Sequence, residues 1–396
     1  QQQWTDLAEI LQRQIQQAET DERIIGLRFR LGQLYQEQIN DLDKAVESYR
    51  EVLADRPDHS PSITSLELLV DDGHKQGVIA EILEPLYRLS EDWSKLARIL
   101  QVQLSTIDAG EDMLPTIQRI AEIYEQRLSD HQQAFIWWGQ AYAKDPMSEL
   151  SWENLERLAE MIAGWEDLVG VYESMLEGAS GEDAIQMHKL IARVHDEELN
   201  DKGSAEQSYL RVLEGDGNDA TALAALDRIY AAGGMFPELA AILSRRIEGT
   251  DDAEERIALQ LRLGETYDVA LDSPEQALRA YTDALEIDSR NATALGALER
   301  IYFAQQDFQN LYEVYEKMID IAHGDGAMGD CYARMAKISS EALDDAPRAQ
   351  ELWARVLDLR GEDPVALWEL ANLYEAAGEW RELVDVLQRQ VSVASD

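Results

Sequence analysis

Carboxylates outnumber every other reactive group in this chain, so any chemistry would start from the acidic clusters. Two of them are spaced like cation loops. EGDGNDA (214–220) offers Asp216 and Asn218, but Ala220 falls where a third oxygen ligand is required. HGDGAMGD (323–330) fails at the same step, with Ala327 and Gly329 after Asp325. Both stretches are rich in turn formers and are expected to be turns. HDEE, beginning at His195, lacks the second histidine of a zinc-protease helix, and no two histidines stand four apart. There is no phosphate-binding glycine loop, nucleophile elbow or dinucleotide fingerprint. Cys331 is the only cysteine, so neither a disulfide nor a cysteine zinc site can form. Its helical stretch, CYARMAKI, makes it a small core residue rather than a nucleophile. Asn291-Ala292-Thr293 is formally a glycosylation acceptor, but it stands where a helix starts and is expected to cap it. No catalytic constellation emerges, and neither enzyme activity, a cofactor nor a metal is expected.

Charge excludes a further class. Lysine plus arginine number 35 against 78 aspartate plus glutamate, a formal net charge of −43. Such a surface repels phosphate backbones, and no local basic patch offsets it, so nucleic acid is excluded as a partner. Lysine is scarce relative to arginine, and the acidity is equally well explained by a salt-rich or high-GC source. The 45% hydrophobic content supports a packed core. No apolar run approaches the ~18–20 residues of a membrane span, and no signal-peptide core is visible. The expected location is cytoplasmic, with export left open because the chain begins at Gln1 rather than methionine.

The elements that must carry any function repeat. QWTDLAEIL at Trp4 recurs as DWSKLARIL at Trp93, GWEDLVGVY at Trp165, MFPELAAIL at Phe236, DFQNLYEVY at Phe308 and EWRELVDVL at Trp380. A second mark keeps the same beat: Ala45/Tyr49, Ala134/Trp138, Ala205/Tyr209, Ala277/Tyr281 and Ala349/Trp353. A third runs through Gly32, Ala121, Ala192, Gly264 and Ala336. Apolar positions around each mark follow the helical period, and caps or breakers such as DRPDHSP, KDPMSE and RGEDPV lie between them. One beat is therefore four helices, or two helical hairpins. The first interval is longer than the rest, and the surplus falls around HSPSITSLELLVDDGHK (59–75). One additional helix is expected near 61–70, ended by Asp71-Asp72-Gly73.

LRLGETYDVALDSPEQALRAYTDALEID (261–288) resembles a tetratricopeptide repeat. Gly264 and Tyr267 match the small residue and aromatic of its first helix, and Ala277, Tyr281, Ala284 and Leu285 match the second. His195 and Ser339 replace the first-helix aromatic in two copies. The alternate hairpins depart further: Glu299 stands in place of the small residue and Leu311 in place of the alanine. The resemblance covers the whole chain and is to helical-repeat scaffolds of bacterial type. It implies an all-α solenoid, a right-handed superhelix of tetratricopeptide and tetratricopeptide-like hairpins. One domain over 1–396 is expected, with a partial first hairpin at 1–20 and a last helix at 381–396.

That resemblance also implies a concave groove. Its fifteen positions read Gln33, Gln36, Glu37; Glu122, Glu125, Gln126; Arg193, Asp196, Glu197; Glu265, Asp268, Val269; and Lys337, Ser340, Glu341. Glu37, Glu122, Glu125, Asp196, Glu197, Glu265, Asp268 and Glu341 make it acidic, which argues against a carboxylate clamp and favours a basic or amphipathic peptide. In AFIWWGQAY (134–142), Phe135 and Trp137 lie off the core stripe and are candidate aromatic contacts. The leading expectation is a non-enzymatic protein-interaction scaffold. Two alternatives stay open: a structural part of a larger repeat assembly with end-to-end contacts, since the chain opens and closes on the same Trp-type helix, and a docking region of a larger enzyme.

Overall fold

The computed structural model describes residues 2–107 and 112–393, and among them every regular element is helical. Six Trp-type helices set the beat: α1 (Gln2–Gln17), α6 (Trp93–Thr106), α10 (Trp165–Leu176), α14 (Phe236–Gly249), α18 (Phe308–Ile321) and α22 (Trp380–Val393). First helices of the tetratricopeptide-like hairpins are α2 (Asp21–Leu34), α7 (Leu114–Glu122), α11 (Glu182–Arg193), α15 (Ala253–Glu265) and α19 (Asp325–Glu341). Their second helices are α3 (Leu42–Asp55), α8 (His131–Lys144), α12 (Lys202–Gly215), α16 (Pro274–Ile287) and α20 (Ala346–Arg360). The remaining third-position helices are α4 (Ser60–Asp71), α5 (Gln76–Leu89), α9 (Glu149–Ile162), α13 (Ala220–Gly233), α17 (Ala292–Gln305) and α21 (Pro364–Ala377). Four helices thus separate α1 from α6, where three separate each later Trp-type pair. No helix among the described residues is long and apolar enough to cross a membrane.

The chain divides into two compact units, Gln1–Ser180 with Glu197–Asn200, and Gly181–Asp196 with Asp201–Asp396. Within the first, α1 to α6 close one core around Tyr49, Leu66, Ile79, Leu83 and Leu96. The second holds successive cores, one around Leu226 and Leu243 and another around Trp353, Leu367 and Leu370.

Local chemistry explains the regular beat. Most second helices begin on an aspartate whose carboxylate accepts a backbone N–H one turn on: Asp41 from Lys44, Asp130 from Gln133, Asp201 from Ser204 and Asp345 from Arg348. Such caps satisfy orphan donors and favour negative charge at the helix start, so part of the acidity serves folding. First helices end on a left-handed residue at one fixed place: Asn40, Ser129, Asn200, Asp272 and Asp344. Four of them reach it through a π-helical turn, at Tyr35–Ile39, Ile123–Arg127, Val194–Glu198 and Thr266–Ala270, whereas α19 stays α-helical to Glu341.

The small residues do what the pattern requires. A Cβ on Gly264 would stand 2.7 Å from the Tyr281 ring, and one on Gly32 2.6 Å from the Tyr49 ring. Close approach of first and second helices is what glycine permits here. Where Ser339 replaces the aromatic, it is buried and donates to the Met335 carbonyl, and the larger Trp353 is buried on the facing helix.

Candidate protein-interaction surface

The row of acids across the first helices divides in two. Glu125, Asp196 and Asp268 are each held by an arginine 32 residues on, from the third-position helix of the same beat: Arg157 at 2.5 Å, Arg228 and Arg300. Asp196 is only 2% exposed and takes a second bond, from Lys202 at 2.7 Å. Gln36 and Ser340 fill the same position in the other copies, and Leu68 and Asn372 stand where the arginine would be. Gln36 instead accepts from the Tyr49 hydroxyl at 2.8 Å. These three acids are structural ties, and the charge they bring is already matched. Glu37, Glu122, Glu197, Glu265 and Glu341 are exposed, and Lys337 with them.

A second series of ties runs the other way. Carboxylates on third-position helices bond an arginine 35 residues on, in the next first helix: Glu84 to Arg119 at 2.7 Å, Asp227 to Arg262 at 2.7 Å, and Glu299 to Arg334. The intervening Trp-type helix joins in, through Gln103 to Glu84, Arg246 to Asp227, and Tyr315 to Glu299 at 2.8 Å. Glu299, a departure from the repeat pattern, therefore fastens three helices where a small residue would fasten two. Burial and the bond to Glu299 push the Tyr315 hydroxyl up to about 12. Glu67 on α4 stands eight residues past its cap His59, as Glu299 does past Asn291, so α4 and α5 both carry the third-helix carboxylate. Only α5 ties it onward to a first helix; Glu67 on α4 accepts from Tyr87 and Lys95.

Phe135 is 4% exposed, so it is core rather than a contact aromatic. Second helices are covered on more than one side, and Val46, one place after Ala45 as Phe135 is after Ala134, is buried too. Trp137 is half-buried against the first unit's core. Cys331 is half-buried, and burial pushes its thiol up. Among the described residues no three metal-ligating side chains converge.

Open apolar surface lies elsewhere. A cavity of about 650 Å³ opens between α17, α18 and α19, lined by Phe303, Phe308, Leu311, Ile338 and Ala342, with Arg334, Lys337, Glu299 and Glu341 among its polar lining. Phe303 is 65% exposed. The first unit covers the equivalent ring. There the Arg127 guanidinium covers the Trp93 ring, 4.6 Å from its centroid. Arg127 stands six residues past Ala121; six past Ala336 stands Ala342, too short to cover Phe308. Sequence periodicity held this signal, but only a comparison of copies at that one position exposes it.

Among known families, the tetratricopeptide repeat matches residues 27–59, 294–328 and 366–396. No curated protein sequence matches the chain. Solved structures similar to it include a tetratricopeptide repeat protein from Parabacteroides merdae, 15% identical, covering 66% of this chain and 98% of that one with a TM-score of 0.28. YrrB, described as a tetratricopeptide repeat protein with an unusual peptide-binding site, is 17% identical over 50% of this chain and 96% of its own, TM-score 0.28. The C-terminal part of a repeat protein from Cytophaga hutchinsonii is 17% identical over 63% of this chain and 97% of its own, TM-score 0.30. With TM-scores this low, the classification rests on the matched repeats and on the chain's own helices. The fold defines an all-α helical-hairpin repeat protein. Its hairpins make it, more narrowly, a tetratricopeptide-like repeat protein.

Proposed function

We propose that the chain is a non-enzymatic protein-interaction scaffold whose second unit seats a bulky apolar side chain of a partner segment in the α17–α19 cavity. The observation that carries this reading is the uncovered Phe308 wall, with exposed Phe303 at the rim and Ala342 where another copy places a covering arginine. An apolar, part-open pocket with a few charged groups is what a side-chain anchor requires. Lys337 balances Glu341 at the pocket, so it is the exposed Glu265 that favours a segment that is amphipathic and basic, with charge acting more on encounter rate than on affinity. Acidity of the other first-helix positions contributes less, because Glu125, Asp196 and Asp268 are neutralised internally.

A displayed random-peptide selection against the intact chain tests this. The reading expects clones carrying a bulky apolar residue beside lysine or arginine, competing with one another for a single site. Selection that yields no clones, or clones with no apolar anchor, would count against it.

A further inference from the structure

One first-helix position differs in every copy: Arg28, Ile117, His188, Gln260 and Tyr332 stand four residues before Gly32, Ala121, Ala192, Gly264 and Ala336. On the paired second helix, six residues past the small contact, the copies carry Glu51, Gln140, Arg211, Asp283 and Arg355. An acid therefore stands there in the first and fourth copies alone. In the first, Arg28 matches it: Nε lies 3.0 Å from the Glu51 carboxylate, and the guanidinium also pairs with Asp55. In the fourth, an uncharged glutamine meets Asp283.

Around that pair a cavity of about 310 Å³ opens between α14, α15 and α16. Ile247, Leu263 and Ala280 give it an apolar wall, and Glu248 adds a second carboxylate. Gln260, also in the lining, is only 8% exposed. Its amide nitrogen donates toward the Asp283 carboxylate at 3.5 Å, which leaves the amide oxygen buried and without a hydrogen-bond partner. A carboxylate can only accept, so Asp283 imposes this orientation of the amide. A buried acceptor with no donor is destabilising, and an arriving donor relieves it. Arg279 lines the cavity as well, but it is exposed and makes no ion pair among the described residues. Burial and the nearby Glu286 push the Asp283 carboxyl up, the reverse of what a close cation does.

We propose that the α14–α16 cavity seats an arginine side chain of a partner protein, its guanidinium held between the Asp283 carboxylate and the Gln260 amide oxygen. The first copy supplies the precedent: there a guanidinium meets the second-helix acid from within the chain, and here it comes from outside. Arginine suits the site better than lysine because its planar fork donates to two acceptors at once, while its stem lies along Ile247 and Leu263. A volume at the lower end of ligand pockets matches one side chain rather than a larger molecule. The site shares no residue with the α17–α19 cavity, so either assignment can fail without the other.

The test is a calorimetric titration of the intact chain with the capped tripeptide Gly-Arg-Gly, in physiological salt so that general attraction to the acidic surface is screened. Saturable binding at one site is expected, weakened at least about tenfold when citrulline, the uncharged isostere, replaces the arginine. Asp283→Asn should weaken it about tenfold, whereas Glu313→Gln, an equal change of charge at an exposed position of α18, should leave it unchanged. Gln260→Arg restores the arrangement of the first copy, and should abolish binding while raising the melting temperature. Free arginine should bind more weakly than the tripeptide, because its own carboxylate enters an acidic surround. No binding, indifference to citrulline or to Asp283→Asn, or a Gln260→Arg chain that still binds would overturn the proposal. Free arginine binding more tightly than the tripeptide would also overturn it, by assigning the cavity to a small molecule.

Discussion

Arg228 on α13 and Lys202 at the start of α12 converge on the buried carboxylate of Asp196, so a position expected to face a groove ligand is instead closed by the protein itself. A buried charge stripped of its partners is strongly destabilising, whereas one remaining partner retains much of the tie. Arg228→Met should therefore cost about 1–2 kcal/mol, and Arg228→Met with Lys202→Met about 3–5 kcal/mol. Urea unfolding followed on a tryptophan of the second unit measures both. Equal, small losses for the single and double variants would show that Asp196 is solvated.

The third-helix carboxylates should make stability pH-dependent. Burial alone would push the Glu84 carboxyl up, but bonds from Gln103 and Arg119 and the nearby guanidinium charges outweigh it and hold it below its ordinary value. A lowered carboxylate stabilises the fold above the ordinary glutamate range, and that stabilisation is lost as pH falls through the folded-state value. Glu369, pushed up by burial, acts with the opposite sign. Melting temperatures of the native chain and of Glu84→Gln should thus differ at neutral pH and converge below about pH 4. A gap that persists under acid would mean that Glu84 contributes packing rather than charge.

Third-position helices end on a left-handed residue, glycine in α13 and α21 but Ala163 in α9, with φ 52°. Alanine is strained there and glycine is not, so Ala163→Gly should stabilise the first unit by about 1 kcal/mol, read as a raised melting temperature. A lowered one would indicate a frayed helix end without that conformation.

The recurring marks and helical periodicity made the beat and its helices legible, and the resemblance to the tetratricopeptide repeat supplied the sense of close-contact residues such as Ala134 and Gly264. The partners of surface acids were harder to see. Nothing local distinguishes Asp268, which Arg300 holds, from Glu265, which is exposed; the difference lies 32 residues away. Arginines at that constant spacing, Arg157, Arg228 and Arg300, were a readable signal. Phe135 was misjudged because a single buried stripe was assumed for helices that are covered on more than one side. The α17–α19 cavity is lined at Ala342 by a side chain shorter than the Arg127 of the first unit, and a short side chain leaves no motif.

The scaffold account is tested most directly at that alanine. Ala342→Arg supplies the guanidinium that covers Trp93 in the other unit, and should lie over Phe308 and fill the cavity without unfolding the chain. A labelled peptide from the display selection should bind this variant at least about tenfold more weakly than the native chain, while circular dichroism stays unchanged. Equal affinity for the native and Ala342→Arg proteins would contradict the assignment of the α17–α19 cavity as the partner site.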